Sequence, residues 1–171
     1  MKIITYFFCF FFSLSVYSQD IATIKLSYLI QNSNDYINFI GKLEDKKKSF
    51  YNILSKEEEI LKQRKSEIEE SKLILNDEEI NNLINEYNYD LQSYQKKIEK
   101  YNYFVNNNID QNQKIVIQEI IKIAQEISSN KKFNIVLNED QYFISSENID
   151  ISNLVLERLN KTTINLAIID D

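Results

Sequence analysis

The sequence has 171 residues, a formal net charge of −6, no His, no Pro and a single Gly. This inventory excludes glycine-rich phosphate loops, His-containing catalytic triads and His-based metal sites, so we expect no cofactor and no enzyme. The acidic balance also argues against a nucleic-acid-binding protein, which needs a basic face.

The N-terminus has the pattern of a secretory signal peptide. Lys2 precedes an apolar run from 3 to 16, and its 14 residues are fewer than the roughly 20 that span a bilayer. We predict a signal peptide over residues 1–18, cleaved after Ser18, with an uncleaved anchor as the alternative. Because Cys9 and Lys2 would leave with it, the mature chain would have no disulfide and a net charge of −7.

The first mature segment, Ile21 to Leu26, alternates in polarity and is typical of a half-buried strand. Possible helix caps follow at 33–35. They introduce a helix that we expect from Asp35 to Leu75, about 60 Å long at 1.5 Å per residue.

Residues 40–127 carry the pattern of a helical hairpin. Apolar residues recur in steps of three and four, which is typical of a coiled-coil seam. Asn76 and Glu79 form a predicted capping box between the two halves. Facing residues in a tight antiparallel hairpin have numbers with a constant sum, and several apolar pairs here sum to 152. The main seam residues are Leu54, Leu61, Ile68, Ile84, Leu91 and Ile98.

The return helix, expected from Asp77 to about Ser129, changes character along its length. The seam residues before Ile109 are twice in succession four positions apart, instead of alternating between three and four. This change of spacing rotates the seam around the helix beside the asparagines at 106–108. From 115 to 127 the apolar residues cover more than one stripe. We therefore predict an arm over 42–109, with its tip near residue 76. A body would comprise 19–41 and 110–171, and Gly41 and residues 106–108 are predicted flexing points.

The C-terminal part reads as strand 133–137, turn 138–140 and strand 141–145. Ser152 is the predicted N-cap of a last helix that ends near Asn160. The sequence leaves open whether residues 161–171 add a further strand.

The predicted fold class is therefore α+β and mostly α, a long antiparallel helical hairpin protruding from a small β-containing oligomerisation body. A body of this size has open sheet edges and a small core, so we expect it to oligomerise. The predicted core of the body and of the oligomer consists of Ile24, Leu26, Val116, Ile120, Ile123, Ile127, Ile135 and Leu137.

The order of these elements resembles the Skp family, also called OmpH-like, of periplasmic chaperones for outer-membrane proteins. The resemblance extends from Asp20 to Lys161. It rests on the segment from Ile21 through Ile30 and on two later stretches, 133–137 and 150–161.

The resemblance implies a homotrimer in which strands from three chains form a body and three helical arms enclose an unfolded client. It implies an ATP-independent holdase in the periplasm whose partners are unfolded outer-membrane proteins. Two features differ from the family pattern. Lys25 stands where members commonly have an acidic residue, and the second arm helix, 77–110, has seven acidic but only three basic residues.

Three aromatic residues lie off the seam of the arm and are candidate client-binding residues: Tyr89, Tyr103 and Phe104. Ordinary surface aromatics are the alternative. Acidic clusters at 57–59, 69–70 and 139–140 lie on a solvated arm and a turn, where no pocket raises a carboxyl pKa, so we interpret them as surface charges.

A different functional class is also compatible with the sequence. An exported structural or adaptor coiled coil would bind one defined folded partner, whereas a holdase would bind several unfolded barrels. Contact with a membrane surface is not supported, because the chain is acidic and lacks a basic amphipathic face.

Overall fold

The computed structural model describes residues 20–170, so the predicted signal peptide lies outside the described residues. In chain order the elements are β1 (Ile21–Ile24), α1 (Leu26–Gln31), α2 (Asn34–Ser71), α3 (Asp77–Lys131), β2 (Ile135–Asn138) and α4 (Ser152–Leu159). The predicted fold class is confirmed, since a long helical arm extends from a small body with a two-stranded sheet.

The arm is formed by α2 and α3, with 38 and 55 residues, which correspond to about 57 and 82 Å. The chain reverses where the sequence predicts it. The Asn76 side chain accepts the Glu79 N–H at 3.0 Å, and the Glu79 carboxylate accepts the Asn76 N–H at 3.1 Å. The predicted capping box is therefore present and closes the tip of the arm.

The two arm helices face each other in nearly the predicted register. Lys97 donates to Glu57 at 2.6 Å, and Arg64 donates to Asp90. The residue numbers of each pair sum to 154, close to the predicted 152. The two helices therefore reverse about residue 77, one position from the predicted residue 76. Along the seam Leu61 and Ile68 are buried, while the remaining predicted residues are half-buried: Leu54, Ile84, Leu91 and Ile98.

The sheet differs from the prediction. β1 and β2 pair in parallel, with Ile21 opposite Ile135 and Ile24 opposite Asn138. A parallel pair requires a long crossover, and here the whole helical arm is inserted in it. On the other side of β1, the Ile151 N–H donates to the Thr23 carbonyl at 2.9 Å.

The predicted hairpin of 133–137 and 141–145 is wrong because its turn has another role. The Asn138 side chain accepts the Leu26 N–H at 3.1 Å, and Glu139 accepts the Ser27 N–H at 3.0 Å. These groups cap the start of α1, a short helix that the sequence did not indicate. Leu26, predicted at the end of a strand, is instead the first residue of α1 and packs half-buried against the core.

Two apolar clusters organise the molecule. The larger one lies in the body, where α3, α4, α1 and β1 meet, and includes Ile24, Val116, Ile120, Ile123 and Ile127. The smaller one lies at the base of the arm and consists of Phe39, Leu43 and Phe104 with partly buried neighbours.

The prediction that Ser152 caps α4 is wrong. Ser152 is the first residue of the helix, and its hydroxyl accepts the Lys25 N–H at 2.8 Å. Asp150 takes the capping role, because its carboxylate accepts the Ser152 N–H at 2.8 Å. The end of α4 in turn supports α2, since the Asn160 side chain accepts the Asn34 N–H at 2.8 Å.

Candidate functional site

A cleft of about 730 Å³ lies between α2 and α3, near the base of the arm. Its floor is aromatic. The Phe50 ring lies 5.4 Å from the Phe104 ring and 5.9 Å from the Tyr101 ring, measured between centroids. Ile53 and Leu54 complete the apolar lining on α2. Such a surface suits apolar side chains of a bound chain.

Charged residues form the rim of this cleft. Glu57 and Lys97 pair across the two helices at 2.6 Å, and Lys100 and Asp170 also border the opening. Because both signs are present, the rim provides no single-sign field for steering a charged ligand. The apolar floor therefore dominates what the cleft can bind.

The predicted client-binding residues do not lie together. Tyr103 and Phe104 both border the cleft, but Tyr103 is 62% exposed and Phe104 only 7% exposed. The expectation that Phe104 lies on the arm surface is wrong. Its ring packs into the cluster of Phe39 and Leu43, because the seam rotates at this point and turns Phe104 toward α2.

Tyr89 is 75% exposed and lies 14 residues before Tyr103 on α3, about 21 Å along the helix. It borders a separate shallow depression with Arg64 and Asp90. The two exposed tyrosines are therefore distinct contact points on the arm.

Sequence reasoning missed several exposed apolar residues of the arm. Leu73 is 90% exposed, and Ile74 beside it is also exposed, in the turn that closes the tip. Ile53 and Ile60, seven residues apart on α2, are exposed on one face outside the seam. Two signals in the sequence could have identified these residues. Ile53 and Ile60 are seven positions apart, and Leu73 and Ile74 are consecutive apolar residues at the tip.

The body also exposes apolar residues in β2 and in the segment that follows it. Ile135 is 43% exposed, so it is not buried in the core of the single chain, and its predicted place in the core of the oligomer stays a prediction. Leu137 is half-buried. Phe143 and Ile144 follow in a segment without regular structure, and both are exposed. Within the described chain nothing covers this apolar strip.

Lys25 and Asp150 form the best-defined electrostatic contact of the body, with the ammonium 2.9 Å from the carboxylate. Partial burial opposes ionisation of Asp150, but hydrogen bonds from Ser152 and Lys25 outweigh it and lower the pKa of the carboxyl below its ordinary value. The same hydrogen bond raises the pKa of Lys25. Lys25 is thus a partner of Asp150 and joins β1 to the start of α4.

On the arm, Tyr94 is a half-buried seam residue of α3. Burial, followed by the nearby carboxylates of Glu58 and Glu57, raises the pKa of its phenol above the ordinary value.

No helix in residues 20–170 is both long and apolar enough to cross a membrane. No group of three or more acidic, His or Cys side chains in the same range could hold a metal ion.

Comparison with known proteins places this architecture in a family. The family described as Outer membrane protein (OmpH-like) matches residues 20–159. The chain is also similar in structure to an OmpH-like outer membrane chaperone candidate from Caulobacter crescentus, with a TM-score of 0.71 and 13% identity over 90% of this chain and 93% of that chain. No curated protein sequence matches the chain. Because the family match covers most of the sequence, the chain belongs to the OmpH-like family.

Proposed function

We propose that this protein is an ATP-independent holdase of the periplasm that encloses unfolded outer-membrane proteins between the helical arms of a homotrimer. A holdase binds exposed apolar segments and releases them without chemical conversion, so it needs apolar surface on a concave scaffold and no catalytic group. Family membership supports the chaperone class, and the Caulobacter relative is itself described as an outer membrane chaperone candidate.

The observation that carries the proposal is the apolar surface of the arm. A solvated coiled coil normally exposes polar residues outside its seam. Here the cleft at the base, the α2 face at Ile53 and Ile60, and the tip at Leu73 and Ile74 are apolar and uncovered in the described chain. Many weak apolar contacts of this kind, summed over several arms, would hold an unfolded chain without selecting one sequence.

The sheet supports the homotrimer. β2 has a free edge, and a two-stranded sheet is marginal by itself. Ile135 in β2 and Phe143 and Ile144 after it are exposed, and strands from other copies that pair with this edge would cover apolar groups of this kind. In this proposal residues 42–109 form the arm, and 19–41 with 110–171 form the oligomerisation body.

Export to the periplasm is part of the proposal and rests on the signal-peptide pattern of residues 1–18.

The arm would bind clients through apolar contacts rather than through positive charge. Residues 77–110 carry seven acidic and three basic residues, so attraction of anionic groups is not expected on α3.

The deciding experiment is the solution mass of the mature protein, residues 19–171, alone and after dilution of a urea-unfolded outer-membrane barrel protein into it. We expect a trimer that gains one unfolded client. The same barrel, folded beforehand, is the control and should not bind. A monomer or dimer that leaves the client to aggregate, or that binds the folded barrel, would overturn the holdase and favour an adaptor.

A second measurement links binding to the arm surface. Replacing Leu73 and Ile74 by Ser removes exposed apolar groups at the tip, so it should weaken client retention without lowering the unfolding midpoint. Replacing the exposed Asn81 and Asn82 by Ser is the matched control, because it changes neighbouring surface without changing its polarity.

A further inference from the structure

Two buried asparagines of α3 hold the C-terminal segment of the chain, residues 163–170, here called the tail. The Asn112 amide donates to the Ala167 carbonyl at 3.0 Å and accepts the Ala167 N–H at 3.1 Å. The Asn108 amide donates to the Ile169 carbonyl at 3.0 Å and accepts the Ile169 N–H at 2.8 Å. Each asparagine therefore satisfies both main-chain groups of one tail residue.

The spacing explains why this pairing works. Four residues of a helix rise about 6.0 Å, and two residues of an extended strand advance about 6.7 Å. Asparagines four apart on α3 can therefore match alternate residues of an extended chain, as the next strand of a sheet would. The remaining amide hydrogens are also used, since Asn108 donates to the Phe104 carbonyl and Asn112 to the Asn108 carbonyl, both at 2.9 Å.

The groove that holds the tail is formed by Asp35 and Lys46 of α2 and by Asn108 and Asn112 of α3. It selects side chains only by apolarity at alternate positions. Ile164 is buried in the body cluster, Leu166 packs against both clusters, and Ile168 packs against the cluster at the arm base. The intervening Asn165 and Ala167 are exposed. A ligand thus needs an extended backbone where it pairs with the two asparagines and an apolar residue at every second position. Before that stretch the tail itself makes a tight turn, in which the Leu166 N–H donates to the Ile164 carbonyl at 3.0 Å.

The ends of the tail are held by polar contacts on α2. Asp35 accepts the Ile164 N–H at 2.7 Å, and Lys46 lies 3.3 Å from the Asp170 carboxylate in an exposed ion pair. The first of these is again a contact to the main chain.

We infer that the groove between α2 and α3 is a binding site for extended peptide segments with alternating apolar residues, occupied in the resting protein by the tail itself. Strands of outer-membrane barrels have this alternation, so they are the natural ligand class. That assignment of the natural ligand rests on the proposed function, whereas peptide binding by the groove does not. A tethered tail competes at an effective concentration in the millimolar range, so it closes the groove to weak ligands.

The test uses the full mature chain with Ala167→Pro and Ile169→Pro. Proline lacks the N–H, so this variant loses both tail donors to the asparagines while every groove residue is unchanged. The probe is a fluorescent synthetic peptide with the sequence of residues 163–171, followed by anisotropy. We expect the proline variant to bind this peptide at least about ten-fold more tightly than the wild-type chain does, because its own tail competes less.

Two controls separate groove recognition from general stickiness. A peptide with prolines at the same two positions should not bind. Adding Asn108→Leu and Asn112→Leu to the proline variant should abolish binding of the natural peptide, since the paired amides are gone. Equal binding of both peptides, or no binding by a variant that keeps wild-type helicity and mass, would overturn the inference.

A chain ending at Thr162 provides a second route if the proline variant does not fold. It should bind the peptide in the same way and recover stability on binding. If both chains lose helicity and neither recovers it with the peptide, the tail is an inseparable part of the fold and the inference is wrong.

The ligand class is tested by competition. An unlabelled peptide from one barrel strand should displace the probe at least about ten-fold better than a peptide of the same composition whose apolar residues are grouped together. If the tail peptide binds but the strand peptide does not compete, the assignment to barrel strands is wrong. Since retention of whole unfolded barrels is measured separately by solution mass, this result is distinguishable from failure of the holdase.

Discussion

The Lys25 ammonium lies 2.9 Å from the Asp150 carboxylate and joins the end of β1 to the segment that caps α4. The pair brings together residues separated by most of the chain, on either side of the helical arm. The lysine neutralises a carboxylate that α4 requires at its start.

Asp150→Asn is expected to destabilise the body at neutral pH by about 1 kcal/mol, because a charged acceptor of two hydrogen bonds is replaced by a neutral one. The pKa of Asp150 is lower in the folded than in the unfolded protein, so its contribution is complete above about pH 4 and is lost as the pH falls through the folded pKa. The stability difference between wild type and variant should therefore shrink below pH 4 in urea unfolding. Glu126→Gln, which removes the same charge from an exposed position on α3, is the control for the loss of a carboxylate as such.

Phe104→Ala should cost about 3 kcal/mol of unfolding free energy, because the ring is 7% exposed and packs between α2 and α3. Tyr103→Ala, on the adjacent residue, should change it by less than about 0.5 kcal/mol. Urea midpoints followed by helical circular dichroism measure both. Equal effects of the two substitutions would contradict the placement of Phe104 in the arm base.

Asn76→Ala removes the side chain that accepts the Glu79 N–H, and should destabilise the first turn of α3 by about 1 kcal/mol. Amide hydrogens at 78–80 should then exchange about five-fold faster, while those of the body are unchanged. Asn81→Ala is the control inside the same helix, where alanine improves helix propensity. Unchanged exchange at the tip would show that the capping box does not hold the turn.

Gly41→Ala tests the predicted flexing point near the base of the arm. Gly41 lies in the interior of α2, and apart from its chain neighbours and the nearby backbone of its own helix no atom lies within 4 Å of an added Cβ. Alanine should therefore stabilise α2 by about 0.5–1 kcal/mol and slow amide exchange around residue 41. Slower exchange confined to this region, together with weaker enclosure of a client, would support a flexing role. A loss of stability would contradict the open surroundings of this position.

The helical part of the fold was predictable because helix signals are local. The three-and-four spacing of apolar residues gave α2 and α3, and Asn76 with Glu79 gave the reversal between them. The sheet was predicted less well. Periodicity indicated strands at 21–26 and 133–137, but a strand's partner depends on which main-chain groups remain free. Here Asn138 and Glu139 are used to cap α1, so the expected hairpin does not form.

Among the site residues, exposure of Tyr89 and Tyr103 followed from their place off the seam. Burial of Phe104 did not, because the seam rotates by an amount that the sequence does not fix. The sequence by itself thus determined the two arm helices, α4, the tip of the arm and the apolar surplus of the body, but not the short helix α1. Only the tertiary structure decided that β1 and β2 pair in parallel and that Asn108 and Asn112 hold the tail. The contacts of the two asparagines with the tail join residues that are 55 and 61 positions apart in the sequence, and no local preference encodes such a pairing.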